Sequence, residues 1–390
     1  MPVTSLLIAN RGEIAIRIAR AAAAAGVRSV AVYAEDDARS LHVRRADDAL
    51  ALRGSGPAAY LEAAQIIDAA RASGCDAIHP GYGFLSESAA FAEACAAAGL
   101  AFIGPSPATL RLLGDKTHAR RLARDAGVPV IDGIDAASLD DVRAFAERLA
   151  DAIVIKAVAG GGGRGMRVVR AGDDIAAAYE RCVSEARSAF GDGAVYAERA
   201  VEGARHIEVQ MLGDATGAIA HLWDRDCTLQ RRHQKLIEIA PAPSLDPALR
   251  TRIIDAAMAI ARAAALTNAA TIEFLVRGGE FWFIEANPRL QVEHTVTEAI
   301  TGADIVRAQI ALAGGATLAS LALSDDPPPA RGFALQARVN METLQADGTV
   351  RPSAGVIAAY EAPGGPGVRV DGFAYSGYAT SSAYDSLLAK

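Results

Sequence analysis

A 390-residue chain that is 51% hydrophobic and 22% charged can bury large cores, which makes it a soluble globular protein of two or three domains rather than a disordered one. Its net charge of -7, with no basic block at either end, argues against duplex nucleic acid as a partner, and the apolar run Ser5 to Asn10 is too short for a membrane span and lacks the flanks of a signal peptide. Cys75, Cys95, Cys182 and Cys227 are widely separated and form no C-x-x-C pair, so neither a disulfide framework nor a zinc knuckle is expected, and a reducing cytoplasm fits.

Short apolar runs alternate with helical patterns over the first hundred residues, the mark of an open parallel α/β sheet. Strands are expected at Ser5 to Ala9, Ser29 to Tyr33, Asp76 to His79 and Ala101 to Ile103, with helices at Glu13 to Ala25 and Glu87 to Ala98. Two helices follow between Pro105 and Val130, and Lys116 stands at a helix start, where anions bind. A small unit then reads as helix 139–149, strand 153–157, a glycine-rich turn, strand 166–170, helix 174–188 and strand 194–198. Longer strands at 206–212, 219–224, 270–276 and 280–286, with one helix at 247–264, predict an α+β unit with an antiparallel sheet. The resulting units are 1–115, 116–203 and 204–390. The last sixty residues carry strand and turn signals but no long helix.

Three local patterns carry chemistry. Lys156 closes a strand before Gly160-Gly161-Gly162-Gly163-Arg164-Gly165, a run costly to order and far longer than a hairpin needs. Weighed against a floppy loop, it reads as a mobile lid whose free amides and flanking cations cover phosphate, ordering when nucleotide binds. It is neither a Rossmann fingerprint nor a P-loop.

Strands 270–276 and 280–286 read as a hairpin. With a three-residue loop Gly278 to Glu280, Arg277 opposes Phe281 and Glu273 faces Glu285. Two facing carboxylates repel unless a cation lies between them, and with the Asn287 amide they form an all-oxygen set suited to magnesium. In Arg289-Leu-Gln291-Val292-Glu293-His294 a guanidinium, an amide and a carboxylate recur at every second position. In extended backbone they point one way, toward an oxyanion to be bound and deprotonated. The cluster Asp224 to Lys235 alone reads equally well as a solvated charged face, and His79 to Phe84 as a ligand loop or a structural turn.

Ile8-Ala-Asn-Arg-Gly-Glu13, His79-Pro-Gly-Tyr-Gly-Phe-Leu-Ser-Glu87, the glycine run, Arg231-Arg-His-Gln-Lys235 and Arg289-Leu-Gln-Val-Glu-His294 together resemble the biotin carboxylases over essentially the whole chain. The resemblance implies an ATP-grasp fold with an N-terminal α/β domain, a glycine-rich lid and a C-terminal catalytic domain. It implies that magnesium-ATP, with manganese as a substitute metal, activates bicarbonate as carboxyphosphate, and that the carboxyl group passes to the ureido nitrogen of carrier-bound biotin. Lys116, Lys156, Gly161, Gly162, Gly163, His206 and Gln230 resemble the nucleotide-binding residues, Glu198 and Val201 lie at the adenine, and His233 lies near ribose and phosphates. Glu273, Glu285 and Asn287 resemble the metal ligands, Lys235, Arg289, Gln291 and the Val292 backbone the bicarbonate site, Glu293 its base, and Arg338 the residue steadying the biotin enolate.

The resemblance also implies a biotinylated carrier domain and a carboxyltransferase, in the same chain or a partner chain. Ala159 stands where a fifth glycine is usual, and Thr295 stands where proline is common, a variant nearer to pyruvate carboxylases and single-chain acyl-CoA carboxylases. Family members continue for several tens of residues beyond Tyr384 to Lys390, so a homodimer in the family is expected to be a monomer in a chain cut here. The alternatives are another ATP-grasp ligase acting on an amine, for which Arg338 and the Arg289 to His294 run would be idle, and a non-catalytic nucleotide-binding assembly module. The retained like charges of Glu273, Glu285 and Glu293 argue against the second.

Overall fold

A computed structural model describes residues 2–135, 138–158, 165–323, 327–347 and 349–390, apart from the side chains of Ala189 and Phe190. Gly161, Gly162, Gly163 and Arg164 therefore lie outside the described residues, and with them most of the expected lid loop.

The first sheet is wholly parallel, with strands β1 (Ser5–Ile8), β2 (Arg28–Tyr33), β3 (Asp48–Ala51), β4 (Ala77–His79) and β5 (Ala101–Phe102) in the order β3-β2-β1-β4-β5. Leu6 and Ile8 on one face pack with helix α1 (Gly12–Ala24), while Leu7, Val30 and Val32 on the other pack with α2 (Ala63–Ala72) and α3 (Ala89–Ala97). Both faces are covered, as a parallel sheet requires. Strand β3 was not expected from sequence: Asp48-Ala-Leu-Ala51 is a short edge strand whose side chains are exposed or half-buried, too weakly patterned to read.

Helices α4 (Pro107–Gly114) and α5 (Lys116–Asp125) lead into a four-stranded unit of β6 (Gly133–Ile134), β7 (Ile153–Ala157), β8 (Met166–Val169) and β9 (Val195–Arg199), ordered β6-β9-β7-β8. Helices α6 (Leu139–Leu149) and α7 (Ile175–Phe190) complete it, the first opened by a capping box between Ser138 and Asp141.

The large antiparallel sheet is ordered β14-β13-β10-β11-β12-β15, from β10 (Arg205–Gly213), β11 (Ile219–Arg231), β12 (Gln234–Ala240), β13 (Asn268–Arg277), β14 (Glu280–Asn287) and β15 (Ala334–Ala337). Helix α8 (Pro247–Ala263) packs on its apolar face, and α9 (His294–Thr301) and α10 (Ile305–Ala313) follow β14. The closing stretch returns to the N-terminal unit. The Arg11 guanidinium lies 3.9 Å over the Tyr384 ring, the Tyr384 hydroxyl donates to Asp36 at 2.7 Å, and the Lys390 ammonium meets Glu13 at 2.9 Å.

Two buried imidazoles of the N-terminal unit predict acid sensitivity. Burial holds His42 down at about 4 and, with the charge of Arg17, His79 at about 3, against 6.5 in the unfolded chain. A depressed folded value means that the unfolded chain binds more protons below pH 6.5. The stabilisation is therefore complete above 6.5 and fades as pH falls toward 4, costing about 2 kcal/mol per histidine by pH 5. The thermal midpoint is expected to fall steadily from pH 7 to pH 5, and a flat profile would contradict it.

Candidate active site

Strand alternation sorts the chemistry onto one face of the large sheet. On β10, Ile207, Val209 and Met211 join the α8 core, leaving His206, Glu208 and Gln210 on the other side. Glu273 and Thr271 of β13 stand directly opposite Glu208 and Gln210, and Arg225 of β11 opposes Glu208. Arg225 is fully buried and donates to Glu208 (2.5 Å), Gln210 (2.8 Å), Thr297 of α9 (3.0 Å) and Thr271 (3.1 Å).

Beside it the Lys235 ammonium donates to three carboxylates, Glu208 at 2.6 Å, Glu293 at 2.7 Å and Glu273 at 3.1 Å. All its donors are spent. Burial disfavours the charge, but these carboxylates outweigh it and hold the ammonium well above the usual lysine range. Burial would likewise raise Glu293, yet Lys235, then Arg338 and Arg225, keep it well below the usual carboxylate range. Arg338, just past β15, donates to Glu293 at 2.9 Å and to Glu238 at 2.6 Å.

Glu273 and Glu285 face each other across β13 and β14, by a route different from the expected one. The turn has two residues, Gly278 and Gly279, both at positive φ, so Arg277 pairs with Glu280, and a bulge at Ile284 restores the facing carboxylates. Glu273 accepts from Asn287 at 2.7 Å and is paired with His206 at 2.6 Å, while Lys116 pairs with Glu285 at 3.0 Å. Against the effect of burial, Lys235 and His206 pull Glu273 down and Lys116 pulls Glu285 down, so both are ionised at neutral pH. Their oxygens and the Asn287 carbonyl form a hard donor set that fits Mg²⁺. The Asn287 amide as placed gives its nitrogen to Glu273 and its oxygen to Arg289, so ligation by that oxygen requires the amide to turn.

The remaining candidates divide. Arg289, Gln291 and Glu293 do converge on this site, but not through the expected extended backbone. Residues 288–293 form a bend and turn leading into α9. Arg289 donates to Gln291 at 3.0 Å and binds Glu87 of the N-terminal unit, Gln291 donates to Glu273 at 3.3 Å, and Val292 lies half-buried in the turn. Gln230 donates to His206 Nδ1 at 2.9 Å, leaving Nε2 to donate to Glu273. His233 is largely exposed in the two-residue turn Arg232–His233, both residues left-handed, and the partial burial of its ring, with the Lys156 charge, lowers its affinity for a proton. Lys156 binds Glu198, whose other oxygen accepts from Arg120 at 2.6 Å, so the Glu198 side chain is committed to two cations. Val201 lies half-buried between β9 and β10.

Family models match nearly the whole chain: biotin carboxylase, N-terminal domain, over residues 2–110; carbamoyl-phosphate synthase L chain, ATP binding domain, over 115–321; and biotin carboxylase C-terminal domain over 336–390. A biotin carboxylase–β,γ-ATP complex from Campylobacter jejuni superposes with a TM-score of 0.94 at 41% identity, covering 99% of this chain and 86% of that one. The chain belongs to the biotin carboxylase family. The biotin carboxylase domain of Hydrogenobacter thermophilus 2-oxoglutarate carboxylase, solved with MgADP, ADP and bicarbonate, superposes with a TM-score of 0.94 at 39% identity over 100% of this chain and 85% of that one. Pyruvate carboxylase of Bacillus subtilis is 49% identical over 100% of this chain and 34% of its own length. The chain thus spans about a third of the length of the curated relatives it matches.

Beyond the residues expected from sequence, the biotin carboxylase site gains Glu208, Arg225 and Thr297. Polar residues at every second position of β10, within Ile207, Val209 and Met211, were the available signal for Glu208. Arg225 had none, because a charged residue in a strand is by default solvated.

Proposed function

We propose that this chain carboxylates the ureido nitrogen of carrier-bound biotin with ATP and bicarbonate, through carboxyphosphate. The observation that carries the reading is Glu293, buried and clamped between Lys235 and Arg338, beside the facing carboxylates Glu273 and Glu285. Lys116, Lys156, His206, Gln230 and His233, with the Glu198 and Val201 backbone and the Gly161 to Gly163 lid, hold the nucleotide. Mg²⁺ or Mn²⁺ at Glu273, Glu285 and Asn287 would neutralise phosphate charge. Lys235, Arg289, Gln291 and the Val292 amide orient bicarbonate, and Glu293 removes its proton as its oxygen attacks the γ-phosphorus and ADP leaves. Carboxyphosphate then breaks down to CO2 and inorganic phosphate, the phosphate takes the ureido N–H proton, and Arg338 stabilises the resulting biotin enolate as its nitrogen bonds to CO2.

A biotinylated carrier domain would deliver the biotin, and a carboxyltransferase in the same or a partner chain would choose the final acceptor. The four cysteines are free and buried, which suits a reducing cytoplasm. No described helix is long and apolar enough to cross a membrane. The test is ADP release with magnesium-ATP, with and without bicarbonate and free biotin. Stimulation that requires both is expected, and ATP binding without such stimulation would overturn the reading.

A further inference from the structure

Arg338 is shared by two buried carboxylates, and only one of them has a part in the chemistry above. Glu238, on β12, is fully buried and stands opposite Gln336 of β15. Its Oε1 accepts from Arg338 Nε at 2.6 Å, and its Oε2 accepts from Gln336 Nε2 at 2.9 Å. The carbonyl of that amide accepts in turn from the hydroxyl of Thr295, a buried residue of α9. The Arg338 backbone N–H donates to Leu236 on the same strand as Glu238, at 3.0 Å. A continuous chain of bonds thus runs from Thr295 through Gln336 and Glu238 to Arg338 and ends at Glu293.

We infer that Glu238 is a positioning residue that keeps the Arg338 guanidinium aimed at the biotin while Glu293 is protonated; this rests on the functional reading above. When Glu293 takes a proton, its bond to Arg338 loses the charge that made it strong. Arg338 is the one member of the chain with a partly open side chain, 17% exposed, and with a neutral Glu293 it would be free to turn toward water. Glu238 is the anion that remains.

The electrostatics reinforce the geometry. Burial, and then the neighbouring charge of Glu293, push Glu238 above the ordinary carboxylate range. A proton on Glu293 removes that repulsion, so Glu238 is most firmly ionised at the stage when Arg338 depends on it. Gln336 matters because its amide could present either end to Glu238. The Thr295 hydroxyl holds the carbonyl, which leaves the N–H for the carboxylate.

The test is Glu238→Gln in the full chain, which keeps the shape and removes the charge. Biotin-dependent ADP release is expected to fall about 10- to 100-fold, the size usual for residues that orient a reacting group, while bicarbonate-dependent release without biotin is unchanged. Adding Glu238→Gln to Arg338→Gln should cause no further loss, since both act through one guanidinium. Thr295→Val, which leaves the carboxylate in place, should show a smaller loss confined to the same assay. Equal loss with and without biotin, or an additive double variant, would overturn the inference. Absence of any biotin stimulation in the unaltered protein would overturn the functional reading itself, and this inference with it.

Discussion

Glu293→Gln is expected to lower bicarbonate-dependent ADP release by about 10²- to 10⁴-fold, the usual contribution of a positioned base, while ATP binding stays intact. The amide fills the same space between Lys235 and Arg338 but cannot accept the proton. At first sight Glu293 is a poor base, since its cationic neighbours hold it well below the ordinary carboxylate range. That holds only for the site without its anion. A bicarbonate drawn to Lys235 and Arg289 brings negative charge to the same cations and shares their attraction, which raises the proton affinity of Glu293 when it is needed. ATP binding measured by calorimetry separates the two roles. Normal turnover in the variant would sink the assignment as base.

Arg225→Met is expected to cost about 3–5 kcal/mol of stability, the usual penalty for stripping one partner from a buried ion pair. Methionine approximates the length of the arginine stem but leaves Glu208 fully buried with Lys235 as its remaining cation, and it takes away the donor to the Gln210 side-chain oxygen and the Thr271 hydroxyl. Denaturant midpoints would measure the loss. Glu208→Gln added to Arg225→Met should recover part of it by removing the uncompensated charge. An unchanged midpoint in the single variant would show that the buried network contributes nothing to folding.

Much of this architecture was legible because burial imposes a period on the sequence. The runs of β7, β9, β10 and β13, and helices α6 and α8, all read within a residue or two. Strand β12 did not, because the turn before it is Arg232–His233, two left-handed residues with none of the glycine or asparagine that marks such a turn. Glu273 and Glu285 face each other because two departures from the expected hairpin cancel: a loop one residue shorter and a bulge at Ile284. Arg289, Gln291 and Glu293 come together through a turn into α9 and not through the expected extended backbone. Helices α9 and α10 lack a clean apolar stripe: α9 opens on a buried, polar-rich turn, and α10 is buried on nearly every side. Arg338 was reached only through the family resemblance, and the pair of carboxylates around it explains why spacing alone could not find it: they come from β12 and the turn before α9, distant in sequence.

The three carboxylates around Lys235 have a last consequence. With every ammonium proton already taken, the site holds the protein's own anions as internal competitors, and a substrate anion enters by exchange rather than by filling an empty positive hole. The net gain is then a small difference between two sets of ion pairs, so charge alone confers little affinity. A halide would trade one ion pair for another, whereas an anion that can surrender a proton to Glu293 changes the competitor itself. Selection thus operates on acidity more than on charge.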